Sequence, residues 1–198
     1  MVNGVTVHLI RHEKTPANVL RRYIGRTDES IMKVTARYTT LHPDVVYGSA
    51  LKRCQETAAL YFPNVKYIAN EGFNELDFGD FEMKTYEELK TNQTYCAWLD
   101  NPLHVTPPNG ESFPQFTARV LTCFQQIVNE QGNYTFVVHG GVIRVLLQHF
   151  TNQFASFQDA VAEHHTDYIM NWDSIEALKE GKRCTSYSAV YLMEKEHM

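Results

Sequence analysis

The chain of 198 residues contains no apolar run long enough to cross a bilayer, which removes a helical membrane span. It has no surplus of basic residues. Its 18 Lys and Arg stand against 23 Asp and Glu, for a formal net charge of −5, and that balance argues against a nucleic-acid binder, which needs a basic face. A local cluster of arginines could still bind a small anion. Cysteine is sparse: Cys54, Cys96, Cys123 and Cys184 are scattered, with no C-x-x-C pair. A zinc site is therefore not expected, and reduced thiols in a cytoplasmic protein are the simplest reading. The opening Met1-Val2-Asn3-Gly4 lacks a basic n-region and a small-residue cleavage site, which argues against secretion. There is no internal repeat, low-complexity tract or linker, so the expectation is one domain over 1–198. No glycine-rich fingerprint follows the first apolar run, which removes a dinucleotide-binding or flavodoxin-like reading.

What is present reads as an ordinary globular protein, with 43% hydrophobic and 21% charged residues. Apolar runs predict strands at 5–10, 44–48, 134–139 and 188–193, with a weaker candidate at 65–69. Between them lie helical patterns. One covers 50–61, with Ser49 as N-cap and Leu51, Cys54, Ala58 and Tyr61 on one face. A second covers 112–129, opening on a capping box from Ser112 to Gln115 and burying Phe113, Phe116, Val120, Phe124 and Ile127. A third, short and apolar, covers 142–150. Strands alternating with helices imply an α/β fold with a mostly parallel sheet covered on both faces. The stretch 91–110, rich in Asn, Pro and Thr, is expected to be an irregular excursion over the sheet.

Chemistry gathers where these strands end. The first is followed by Arg11-His12-Glu13. Such groups pack poorly in a core but suit ligand binding at the carboxyl edge of an open sheet. The signal recurs twice. Arg53 lies in the first turn of a helix after the second strand, and Val137-Val138-His139-Gly140-Gly141 ends another strand with a histidine and two glycines. Glycines let backbone approach a ligand, and the helix start that follows offers N–H groups to an anion. Glu75 lies in a loop with apolar flanks, Phe73-Asn74-Glu75-Leu76-Asp77-Phe78-Gly79, a setting suited to proton transfer. Two arginines, two histidines and one glutamate thus have the placement to converge at one sheet edge.

Read in order, these segments resemble the histidine phosphatase superfamily, with its phosphoglycerate mutase-like branch. The resemblance runs through Leu9-Ile10-Arg11-His12-Glu13-Lys14-Thr15, with Asn18, Arg22, Gly25 and Asp28 following. It continues in Ser49-x-Leu51-x-Arg53-Cys54-x-x-Thr57-Ala58 and Asn74-Glu75-x-x-Phe78-Gly79-x-Phe81-Glu82, and closes with Gly110-Glu111-Ser112 and Val138-His139-Gly140-Gly141. It implies a three-layer α/β/α sandwich and a covalent phosphohistidine on His12. It also implies a catalytic set of His12, Glu75 and His139, with Glu75 as general acid and then base. Arg11, Arg53, Asn18 and the Gly140 N–H are implied as phosphate ligands, with Arg22 and Gly25 near the substrate. Arg21 would replace Arg22 on a one-residue shift. No metal and no cofactor are implied, because guanidinium and imidazole groups carry the charge. The implied partner is a small phosphorylated substrate, with no nucleic acid and no membrane; oligomeric state is left open.

Three positions depart from the family pattern. Glu13 and Met83 stand where glycine is usual, and Ile24 replaces a polar residue. The short interval before the second strand predicts a trimmed helix near 33–41, and the remaining histidines, His164 and His165 among them, are expected at the surface. The chain ends soon after its last predicted strand, which favours hydrolysis over a mutase needing a tail to exclude water. Trp98-x-Asp100-x-Pro102, Pro107-Pro108-Asn109-Gly110 and Tyr23-x-Gly25-x-Thr27-Asp28 look like the α-ribazole phosphatase branch, with a cap-like excursion at 84–111. The alternatives are mutase-type phosphoryl transfer and a binding module without turnover.

Overall fold

The computed structural model describes residues 4–35, 37 and 39–194. Six strands form one sheet in the order β3-β2-β4-β1-β5-β6: β1 (Val5–Arg11), β2 (Val45–Ser49), β3 (Lys66–Asn70), β4 (Gly132–Val138), β5 (Thr166–Trp172) and β6 (Ser186–Tyr191). The first four are parallel neighbours, and β5 runs antiparallel to both β1 and β6. The period of two in each strand feeds two separate cores. Leu9, Phe136 and Val138 point to a core that includes Phe116, Val120 and Phe124 of α5 (Phe113–Ile127) and Ile143 and Leu146 of α6 (Gly140–Phe150). Ile10, Val46 and Val137 point the other way, to Cys54, Ala58 and Tyr61 of α2 (Lys52–Tyr61). The result is the expected α/β/α layering with a mostly parallel sheet. Each fully buried Phe or Leu in these layers contributes roughly 1.5–3 kcal/mol.

Several boundaries differ from expectation. The helix after β2 begins at Lys52, with Leu51 as N-cap, and the Ser49 hydroxyl turns to Asn74 instead (2.7 Å). α6 begins at Gly140, two residues before the apolar run. β5 is absent from the sequence reading, because Asp167 and Asn171 break its apolar pattern; Asp167 is buried against His8, 2.8 Å away. Within 91–110 the chain forms α4 (Gln93–Asp100), capped by Asn92, whose Tyr95 and Trp98 join Phe81 and Leu89 in a third small core. The helix expected near 33–41 is not found at the described residues of that stretch, and positions 36 and 38 lie outside them. Arg37 instead bridges to Glu194 in extended pairing. Val34, Thr35, Thr39 and Thr40 are β-branched, and Pro43 follows closely, so the local preference is extended.

Candidate active site

Register alone brings the site together. Arg11 pairs with Val138 across β1 and β4, and the His12 N–H bonds the Val138 carbonyl (2.9 Å), so His12 stands beside His139 as both strands end. Gly48 pairs with Val137, which sets the start of α2, and hence Arg53, next to the same point. The His12 and His139 rings meet edge to face, with centroids 5.1 Å apart.

Each ring has an assignable proton. His12 Nδ1 lies 2.7 Å from the Glu13 carbonyl, which only accepts, so Nδ1 carries the hydrogen and Nε2 keeps its lone pair. Burial, then the charges of Arg53 and Arg11, hold the His12 pKa well below the usual histidine value. The ring is therefore neutral at pH 7 and needs no deprotonation to act as a nucleophile. His139 Nδ1 accepts from Arg53 Nε (3.2 Å), and burial followed by Arg53 and His12 lowers its pKa strongly too. The neighbouring Cys54 thiol, pushed up to about 12 by burial, is neutral.

The guanidiniums are held by carbonyls rather than carboxylates. Arg53 is fully buried and donates Nη1 to Thr27 O (2.8 Å) and Nη2 to Gly25 O (2.7 Å). Arg11 donates Nη1 to Ala162 O (2.7 Å), while its buried Nε has no hydrogen-bond partner among the described residues. Burial lowers the pKa of both. Neutral tethers leave the charges unspent, which suits an anion shared between them.

Glu75 reaches the same place from the opposite wall. Its Oε2 accepts from Gly141 N–H (2.8 Å) and its Oε1 from Leu76 N–H (3.0 Å). A Cβ on Gly141 would come within 2.2 Å of Glu75 Oε1, so this approach requires glycine. A cavity of about 260 Å³ lies against Arg11, Glu75 and Gly140 and is also lined by Tyr23, Phe78, Trp98, Phe113 and Phe157.

The remaining expected residues serve first as supports. Asn18 Oδ1 accepts from the Thr15 N–H (3.1 Å) in the capping box of α1 (Pro16–Val19). Gly25 donates its N–H to Glu82 (2.9 Å) and gives its carbonyl to Arg53. Arg22 donates to the Met83 carbonyl and lies 3.8 Å from Glu88, outside the cavity lining. Arg21 is exposed.

His164 and His165 are half-buried and hydrogen-bonded to the tripeptide rather than exposed, contrary to expectation. His164 Nδ1–H donates to the His12 carbonyl (2.8 Å), its ring lies 5.7 Å from that of His12, and burial lowers its pKa to about 4. His165 donates Nε2–H to the Glu13 carboxylate (2.9 Å). Their partners lie some 150 positions away in sequence, where no local signal reports them. Sequence reasoning also passed over Arg119 and Arg144. Arg119 pairs with Glu111 (2.6 and 2.8 Å) and donates to the carbonyls of Gly72, Asn74 and Glu75, clamping the loop that carries Glu75. Arg144, one turn beyond Gly140 on α6, lines the cavity and stacks over Phe157 (5.8 Å).

The chain matches the family model "Histidine phosphatase superfamily (branch 1)" over residues 7–175. It is 34% identical over 155 residues to an adenosylcobalamin/alpha-ribazole phosphatase of Escherichia coli, spanning 70% of this chain and 75% of that one. The protein of the same description from Salmonella typhimurium is 32% identical over 154 residues, with 70% and 76% covered. The crystal structure of the alpha-ribazole phosphatase from Shigella flexneri superposes with a TM-score of 0.74 at 24% identity, covering 97% of this chain and all (100%) of that one.

Proposed function

Because the chain belongs to the histidine phosphatase superfamily (branch 1), we propose that it hydrolyses a small phosphomonoester through a phosphohistidine on His12. The observation that carries this reading is the state of the His12 ring. It is neutral, its Nδ1–H is held by the Glu13 carbonyl, and it stands beside His139 with Arg11 and Arg53 close enough to depress its pKa. In the first step Nε2 of His12 attacks phosphorus and the ester P–O bond breaks. Glu75, as general acid, gives a proton to the leaving alkoxide. Arg11 and Arg53 spread positive charge over the phosphoryl oxygens, joined by neutral donors: the His139 ring, the Gly140 N–H at the start of α6 and the side-chain amide of Asn18. In the second step Glu75 takes a proton from water, which attacks phosphorus and releases phosphate with His12 restored. Gly25 acts through Arg53, whose Nη2 its carbonyl receives. Arg22 would meet a second substrate charge by exchanging its long contact with Glu88.

The ring-lined cavity supports a leaving group with a flat aromatic part, stacked among Tyr23, Phe78 and Trp98. The names of the relatives make α-ribazole 5′-phosphate the first candidate. A phosphate-release screen over small phosphomonoesters tests both levels. The expected result is turnover of p-nitrophenyl phosphate without added metal, undiminished by chelator, and a higher kcat/KM for α-ribazole 5′-phosphate. Chelator-sensitive turnover would overturn the mechanism. Phosphoryl transfer between phosphoglycerates in place of release would point to a mutase.

A further inference from the structure

Glu13 is a buried acid that the proposed reaction does not use. It is 1% exposed. Its side chain turns away from the phosphate pocket into a second polar cluster behind the tripeptide. Tyr61 Oη donates to Oε1, His165 Nε2–H to Oε2 (2.9 Å), and the Arg37 guanidinium lies 3.6 Å from Oε1. A carboxylate taken out of water costs several kcal/mol before its partners offset it, and an apolar cluster of equal volume is often as stable. Stability alone is therefore a weak reason for its presence.

Its placement gives a better one. The backbone carbonyl of Glu13 is the group that holds His12 Nδ1–H. Every other polar group of Glu13 is tied down. Its N–H donates to Thr57 Oγ1 (2.8 Å), and its carboxylate is gripped by Tyr61. Arg53, Thr57 and Tyr61 follow at intervals of four on α2 and share one stripe of that helix. One helix face thus presents a guanidinium to the phosphate pocket, then a hydroxyl to the Glu13 backbone, then a phenol to its carboxylate. On the other side, the segment before β5 ties each residue of the tripeptide in turn. Ala162 O receives Arg11, His164 donates to His12 O, and His165 donates to the Glu13 carboxylate. His165 takes up a left-handed backbone conformation (φ 62°) as it does so, a strain that persists only where surrounding contacts impose it.

We infer that Glu13 is a positioning residue: its carboxylate locks α2 and the 162–165 segment onto the tripeptide, and so fixes the carbonyl that orients the His12 ring toward Arg53. The inference rests on His12 being the phosphoryl acceptor. A loosened carbonyl lets the ring sample its other tautomer and other rotamers, which lowers the chemical rate and leaves phosphate binding by Arg11 and Arg53 largely intact.

The test compares Glu13→Ala, Glu13→Gln and Tyr61→Phe with the wild type in p-nitrophenyl phosphate turnover, together with ¹⁵N NMR of the His12 ring. Glu13→Ala should lower kcat about tenfold with KM shifted less than about twofold, and should turn a single Nδ1–H tautomer into a mixture. Glu13→Gln, which keeps volume and one acceptor, should restore much of the loss. A folded Glu13→Ala variant with wild-type kcat and unchanged His12 signals would overturn the inference, whatever its melting temperature. Should that variant fail to fold, Glu13→Gln and Tyr61→Phe, which preserve the volume of the cluster, decide the matter by the same two readouts. Wild-type turnover that survives His12→Ala would instead remove the premise.

Discussion

The two sides of the Arg11-His12-Glu13 tripeptide are built on opposite principles. In front, two guanidiniums and two neutral imidazoles crowd together, tethered by carbonyls and by one another. Behind, one carboxylate is surrounded by a phenol, an imidazole and a guanidinium. The front gathers like charges and lowers its own basicity, so its geometry is costly until an anion arrives. The back pairs opposite partners. Its role is to hold the front still. The backbone of residue 13 joins the two, since its carbonyl faces His12 and its side chain faces the cluster.

The strongest way to break the comparison is to remove the proposed phosphoryl acceptor from the front. His12→Ala should lower turnover of any phosphomonoester by about 10⁴-fold or more, with the rear cluster and the fold intact by circular dichroism. Arg53→Lys keeps the charge but loses the planar fork that meets Thr27, Gly25 and His139 together. A loss of about 10²–10³ in kcat/KM is expected in steady-state assays. Gly141→Ala sends a methyl into Glu75 Oε1 and should cost about 10² in kcat, most visibly for poor leaving groups, which need the acid most.

The smallest effect separates the two sides by pH. His12 and His139 lie well below the ordinary histidine value of 6.5, and His164 lies at about 4, all chiefly through burial. An unfolded chain binds protons on these groups first as pH falls, so their stability contribution is present above about pH 6.5 and is lost as pH falls through each group's lowered value, about 4 for His164. Glu13 behaves similarly in a lower window. Burial raises its pKa, but hydrogen bonds from Tyr61 and His165 and the charge of Arg37 more than offset this. Its contribution is therefore present above about 4.5 and lost as pH falls through its depressed value. Thermal melts across a pH series should decline through the first window in the wild type, with inorganic phosphate restoring part of the loss. In Glu13→Gln the extra decline of the lower window should vanish. Melting temperatures flat from neutrality to pH 4 would contradict the assignment of neutral, buried imidazoles.

The same contrast explains what could be read from the chain before its structure. The front was legible because each of its residues follows an apolar strand, a pattern of local origin. β1, β2 and β4 fall close to their expected places, α5 follows its capping box and periodicity, and α6 follows its apolar run from a start two residues earlier. The rear cluster was not legible. Glu13 meets Tyr61 and His165 only through long-range folding, and β5, which delivers His165, hides behind Asp167 and Asn171. α4 was hidden for another reason: its Asn-, Pro- and Thr-rich surroundings masked a short helix held by Tyr95 and Trp98 in a core of its own.

The central claim concerns where the phosphoryl group goes. Rapid acid-free quenching of the enzyme during turnover of a phosphomonoester, followed by mass analysis of its peptides, reads that directly. One phosphoryl group on His12, absent from His12→Ala and accumulating when Glu75 is replaced by Gln under a good leaving group, is the predicted result. Turnover with no phosphoryl group on the protein, or one carried by any other residue, would contradict it.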